Sequence, residues 1–289
     1  MTNPVREGAV VTPDGRVLAY AERGDRDGLA VVLHHGTPGS RHDRHPDETV
    51  YDGFRIVTAD RPGYGGSDRR PGRRVASAAE DTVALVDALG IDSFAVVGVS
   101  GGGPHALACA ALLEERVTRA AIVVGAAPSD DPDFDFLAGM AEINVREFGA
   151  ALEGREAVER ELASYVEAAR ADPDAVIDEI AAQLPDYDRE VLERPPVRVV
   201  FRESLLESVR QGSEGWVDDD LAFAASWGFR LADVRTPVRL WQGELDVLVP
   251  RSHGDYLARN IPGATFELVP GAGHMLLDHW PEILGWLAR

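Results

Sequence analysis

A serine stands among glycines at Gly98-Val-Ser-Gly-Gly102, after the apolar run Phe94-Ala-Val-Val-Gly-Val99 and before a helix-forming stretch. Four of the six residues from 98 to 103 are glycine, although a glycine inside a regular element costs roughly 0.5–1 kcal/mol relative to alanine. The pattern G-x-S-x-G between a strand and a helix accounts for that choice. A serine on a sharp strand-to-helix turn takes a strained backbone, and side chains at Gly98 and Gly102 would clash with the neighbouring strand and helix. Pro104 fits because first-turn amides have no intrahelical acceptor to lose. Ser100 is therefore a candidate nucleophile.

A hydroxyl becomes nucleophilic beside a base, and the base needs an acid to orient it. On a sheet of this kind the partners are expected after later strands, in the order Ser, Asp or Glu, His. Asp246 lies in Gly243-Glu-Leu-Asp-Val-Leu-Val-Pro250, just past the apolar run Val238 to Trp241, and His274 closes Pro270-Gly-Ala-Gly-His274. Spacing favours Asp246 over its neighbour Glu244, with Asp130 and Asp131 as outside candidates. Acyl transfer also needs donors for an oxyanion. The Gly101 amide, next to the serine, is one. The other is expected in His34-His-Gly-Thr-Pro-Gly39, where Pro38 has no N–H and Thr37 becomes the natural donor.

The elements that must position these residues follow a rhythm. Two β-prone runs flank the turn signal Asp14-Gly15. Leu29 to His35, Phe54 to Asp60, Phe94 to Val99 and Ala120 to Gly125 read as strands, Ala78 to Leu89 as a helix stopped by Gly90, and Gly101 to Glu115 as a second helix. Strands apolar along nearly their whole length, alternating with helices, imply a parallel sheet covered on both faces. The pattern stops near Pro128. Residues 136–211 show helix starts only, with Asp172 and Asp186 as N-cap candidates and Pro195-Pro196 opening an amphipathic run. It resumes at Pro237 to Trp241 and Thr265 to Val269 and closes with a helix from about Pro281 to Ala288. The expected division is a core of residues 1–128 and 227–289, interrupted by a helical insertion at 129–226.

The chain has 289 residues and a net charge of −20, which disfavours nucleic-acid and anionic membrane partners. Every basic residue other than histidine is arginine. From Ser129 to Ser226 there are 25 acidic and 9 basic residues, a net −16 that leaves −4 for the remainder. Most of these carboxylates are expected to face water. Any that face the entrance would repel anions and admit neutral or cationic molecules. Cys109, the single cysteine, is expected to be a small buried hydrophobe. No run of about 18 apolar residues occurs, and the start lacks a signal-peptide layout, so a cytoplasmic location is expected.

Together these motifs resemble the α/β-hydrolase superfamily, in its cap-bearing esterase or prolyl-aminopeptidase-like branch. The resemblance runs through His35-Gly36, Asp60-Arg-Pro-Gly-Tyr-Gly-Gly-Ser67, the serine turn, Asp246 and Gly-x-Gly-His274. It implies a mostly parallel sheet of eight strands, with a helical cap inserted after the sixth and closing over Ser100. The turn differs from the Gly-Gly-Ser-Trp-Gly of prolyl aminopeptidases and the Gly-Asn-Ser-Met of C–C bond hydrolases, and serine rather than aspartate there disfavours haloalkane and epoxide chemistry.

The expectation is a cofactor-free hydrolase cleaving a carboxylic ester, lactone or thioester of a small to medium, uncharged substrate, with homo-oligomerisation open. Peptidase, C–C hydrolase, cofactor-free lyase or cyclase, and ligand-binding roles are the alternatives. His34, His35, His42 and His45 are close in sequence, but a triad hydrolase needs no metal; His35 is expected to brace the oxyanion loop. His105 is expected to pack a helix rather than act as a second base, and His253 and His279 to occupy ordinary surface or helix positions.

Overall fold

The computed structural model describes residues 5–289. Eight strands form one sheet in the order β1-β2-β4-β3-β5-β6-β7-β8. They are β1 (Arg6–Val11), β2 (Val17–Gly24), β3 (Leu29–His34), β4 (Phe54–Ala59), β5 (Phe94–Val99), β6 (Val117–Val123), β7 (Val238–Gly243) and β8 (Thr265–Val269). β2 runs antiparallel to β1 and β4, and the pairings from β4 through β8 are all parallel. The turn at Asp14-Gly15 connects β1 and β2, with Gly15 at φ 87°.

Alternate residues of β5 serve opposite faces, as period-two geometry requires. Phe94 and Val96 pack with helices α1 (Ser77–Ala88), α2 (Gly102–Leu112) and α9 (Arg251–Asn260). Ala95 and Val97 belong to the other core, with Trp241 and the closing helix α10 (Trp280–Leu287). A strand buried on both faces has no polar alternation to display.

Between β6 and β7 the chain forms six helices in succession: α3 (Glu142–Glu153), α4 (Arg155–Ala171), α5 (Pro173–Ala181), α6 (Asp186–Leu192), α7 (Pro195–Ser208) and α8 (Glu214–Phe223). Asp172 caps α5 by accepting from the Ala175 amide. Asp186 does not cap α6: Pro185 holds the N-cap, and Asp186 is the first helical residue, where its charge complements the helix dipole. These helices pack on the loops at the carboxyl ends of the strands. Tyr64 joins Ile143, Leu162 and Trp216 in one cluster, and Met275 joins Val191 and Val197 in another.

The turn between β5 and α2 brings backbone into very close approach. A Cβ on Gly102 would lie 2.0 Å from the His34 carbonyl oxygen, and one on Gly98 would lie 2.3 Å from the Gly102 oxygen. Backbone cannot yield as a flexible side chain can. Gly102→Ala should therefore destabilise the protein by about 3 kcal/mol, read as a lowered midpoint in urea; an unchanged midpoint would show that the turn has room.

Candidate active site

Because β5 lies between β3 and β6, its carboxyl end opens beside the loop that follows β3. Ser100 occupies that end at φ 53°, in the left-handed region that non-glycine residues seldom adopt. Its amide donates to the Val123 carbonyl at 2.9 Å, and its carbonyl accepts from Gly103 at 2.9 Å. The backbone is thus held from both sides. The Ser100 hydroxyl, half-buried, makes no hydrogen bond to a described residue and faces the same cavity as His274.

Asp246 and His274 follow β7 and β8, which are neighbours in the sheet. His274 Nδ1 lies 2.8 Å from Asp246 Oδ2. The Asp246 carboxylate is fully engaged: Oδ1 accepts from the amides of Leu248 and Val249, each at 2.9 Å, and Oδ2 also accepts from Gln242 Nε2 at 3.0 Å. Gln242 donates in addition to the Val249 carbonyl at 2.8 Å, which fixes its own amide. Burial works against a charged His274, but the Asp246 carboxylate outweighs it and holds the imidazole above its ordinary pKa. Glu244 turns away, accepting from the Gly271 amide at 2.9 Å, and Asp131 accepts from the Tyr256 hydroxyl at 2.6 Å.

An aspartate of the inserted helices holds the histidine from behind. Asp188 on α6 accepts from the His274 amide at 2.9 Å and the Met275 amide at 2.8 Å. It sits so close that a Cβ on Gly273 would come within 2.0 Å of its carboxylate. Nothing in its local sequence marks it. Its role comes from the way α6 packs on the loop after β8.

The loop after β3 is clamped by Arg61. Its guanidinium donates to the carbonyls of His35 and Gly36 and, at 2.8 Å, to Thr37 Oγ1. Asp219 on α8 completes the clamp, taking Arg61 at 2.7 Å, the Tyr64 hydroxyl at 2.9 Å, the Thr37 hydroxyl at 3.2 Å and, by a very short contact, Arg73. His35 is wholly buried, with Nδ1 on the Gly36 carbonyl at 2.8 Å and Nε2 3.3 Å from the Arg61 amide. Burial holds it neutral, far below its ordinary pKa. With the loop so fixed, the amides of Thr37 and Gly101 remain without acceptors among the described residues. They are close together: a Cβ on Gly101 would lie 3.2 Å from the Thr37 nitrogen.

The cavity beyond measures about 250 Å³ and is walled by Ser100, His274, Trp216, Tyr165 and apolar residues of α3, α5 and α7. His105 lies outside it, buried, with Nδ1 2.9 Å from the Gly101 carbonyl and its ring edge-on to Phe223. His253 takes a helix position, one of the two expected for it, but not a solvated one. It is fully buried on α9, bridges the Ala127 amide and the Phe136 carbonyl, and burial lowers its pKa to about 4. Of the acidic residues in the insertion, Glu147, Asp188, Asp218, Asp219 and Asp220 are also buried rather than solvated.

A family model described as alpha/beta hydrolase fold matches residues 30–279. The chain belongs to that family. A non-heme chloroperoxidase of Streptomyces lividans is 36% identical over 124 residues, a match spanning 42% of this chain and 45% of that protein. An uncharacterized hydrolase, YcgS, of Bacillus subtilis is 25% identical across 92% of this chain and 91% of its own length. Among solved structures, a thermophilic esterase from Thermogutta terrifontis superposes with a TM-score of 0.69 at 24% identity, covering 98% of this chain and 96% of that one. No helix among the described residues of this hydrolase-fold chain is long and apolar enough to cross a membrane.

Removing Asp219 would leave two buried guanidinium groups without their shared partner. Asp219→Ala should cost about 3–5 kcal/mol of stability in denaturant unfolding; a loss below about 1 kcal/mol would show that Arg61 and Arg73 find other acceptors.

Proposed function

We propose that this hydrolase-fold protein cleaves carboxylic esters, lactones included, of small to medium size through an acyl-enzyme on Ser100. The observation that carries the reading is the Asp246-anchored imidazole of His274 opening onto the cavity that exposes Ser100, opposite the two free amides of Thr37 and Gly101. The esterase among the structural neighbours supports the same class. Helices α3–α8 act as a cap that walls the substrate.

In this mechanism the Ser100 Oγ adds to the carbonyl carbon while its proton passes to His274 Nε2; the hydroxyl–imidazole hydrogen bond forms in the substrate complex. The imidazolium is stabilised through Nδ1–H by Asp246, and the oxyanion accepts from the Thr37 and Gly101 amides. Collapse breaks the ester C–O bond, and the imidazolium protonates the departing alkoxide. Water then adds to the acyl carbon, gives its proton to His274, and the acid leaves as Ser100 regains its hydrogen.

Ser100→Ala should lower kcat on a responsive ester by at least about 10³-fold with an unchanged fold, and it should abolish labelling by a fluorophosphonate. Retention of turnover would refute the assignment, and labelling without turnover of any ester would favour a non-hydrolytic reaction in the same pocket.

The base must be neutral to work, and Asp246 and Asp188 both raise the His274 pKa. The acid limb of kcat/KM should therefore lie above pH 6.5, and Asp188→Asn should move it downward. A limb below 6.5, or one that moves upward in the variant, would contradict the assigned electrostatics.

A further inference from the structure

Asp219 and Asp220 are consecutive on α8, yet their surroundings are opposite. Asp219 meets Arg61 and Arg73 and stays ionised, well below the usual carboxylate range. Asp220 is fully buried, and neither of its oxygens has an N–H or hydroxyl partner among the described residues. Its acidic neighbour is Glu147 on α3, whose charge acts on it directly.

Glu147 is only 7% exposed and takes the Trp216 Nε1–H at 2.7 Å. It also lines the cavity that holds Ser100 and His274. The nearby guanidinium groups are engaged elsewhere: Arg73 by Asp219 and the Gly215 carbonyl, Arg146 by Glu161 and the Tyr165 hydroxyl. Arg44, on the cavity wall, is paired with Glu203 and Glu48. Burial pushes Glu147 up to about 7, and burial with the charges of Glu147 and Asp219 pushes Asp220 well above its ordinary value.

Carboxyl groups taken out of water are normally paired with a cation or fully hydrogen-bonded. Neither acid is paired with a cation, and Glu147, with Asp220 behind it, is part of a cavity wall that also carries the rings of Tyr165 and Trp216 and the side chain of Asn144. Asn144 donates its Nδ2 to the Leu248 carbonyl at 2.8 Å, leaving the amide oxygen as a further acceptor. Acceptor oxygens beside aromatic faces complement a cation that bears N–H donors.

We propose that the Glu147–Asp220 pair is a subsite for an ammonium group of the substrate, so that the enzyme selects an amino-bearing ester over its uncharged isostere. The proposal rests on the ester-hydrolase reading and replaces the uncharged substrate expected from the sequence.

The test compares kcat/KM for two matched pairs of esters, one pair carrying an ammonium or a methyl isostere on the acyl chain, the other carrying them on the alcohol. Wild type should favour the ammonium member of at least one pair by about tenfold or more, and the ratio should persist in high salt because a buried pair is weakly screened. In Glu147→Gln, and independently in Asp220→Asn, the ratio should fall toward one whatever the absolute rate. A ratio near one in wild type, one erased by salt, or one surviving both substitutions would overturn the proposal. Binding of phenethylammonium against 2-phenylethanol, followed by calorimetry on wild-type protein, gives a readout independent of variant folding and of turnover. Preferential binding of the cation supports the subsite; equal binding overturns it. If no ester turns over, the hydrolase reading fails separately and the calorimetry alone decides the subsite.

Discussion

The hydrogen bond of 2.8 Å between His274 Nδ1 and Asp246 Oδ2 is the constraint on which the site depends. In the proposed mechanism it leaves the other ring nitrogen to receive a proton, and it offsets the burial that would otherwise keep the imidazole from charging. Asp246 does this while accepting three further hydrogen bonds, so its position is set by the loop after β7 and by Gln242 rather than by the histidine. The adjacency of β7 and β8 makes the meeting possible, and β5, parallel to both, presents Ser100 at the same carboxyl end of the sheet.

Around that centre, the inserted helices supply buried charge as well as walls. Asp188 holds the backbone of His274, while Asp219 holds Arg61 and through it the loop bearing Thr37. An ion pair such as Asp219–Arg61 gains little net stability over apolar packing, yet losing one member is expensive. The effect of both aspartates is geometric: Asp188 ties α6 to the loop after β8 through its backbone amides, and Asp219 ties α8 to the loop after β3 through Arg61. Asp220 and Glu147 break that pattern, being equally buried without an arginine. A site that tolerates such a cost has a use for it, and a cationic ligand is the use their surroundings suit.

Much of this was legible in the residues. The strand-to-helix turn at Ser100, the apolarity of β5 and of β6 from Ala120 onward, and the helical character of the segment between β6 and β7 all follow from local spacing and steric rules. The burial of His253 on α9 is masked in the sequence by Arg251, Asp255 and Arg259 around it. Leu257, four residues on, shares its face and is buried, a periodic signal that pointed inward. Asp188, Arg61 and Asp219 were not legible as positioning groups. Their partners lie tens to more than a hundred residues away, or depend on how one helix seats on a loop, and local pattern carries no record of that. The acidic composition of the insertion suggested solvated faces, and only packing separates its five buried carboxyl groups from the exposed ones.

The most direct measurement is pre-steady-state turnover of a chromogenic ester, with the enzyme quenched during the burst and digested for mass spectrometry. The account predicts a burst approaching one leaving group per chain and an acyl mass added to the peptide that contains Ser100. A substrate that turns over while acyl mass accumulates on a different residue, with Ser100 unmodified throughout, would contradict it.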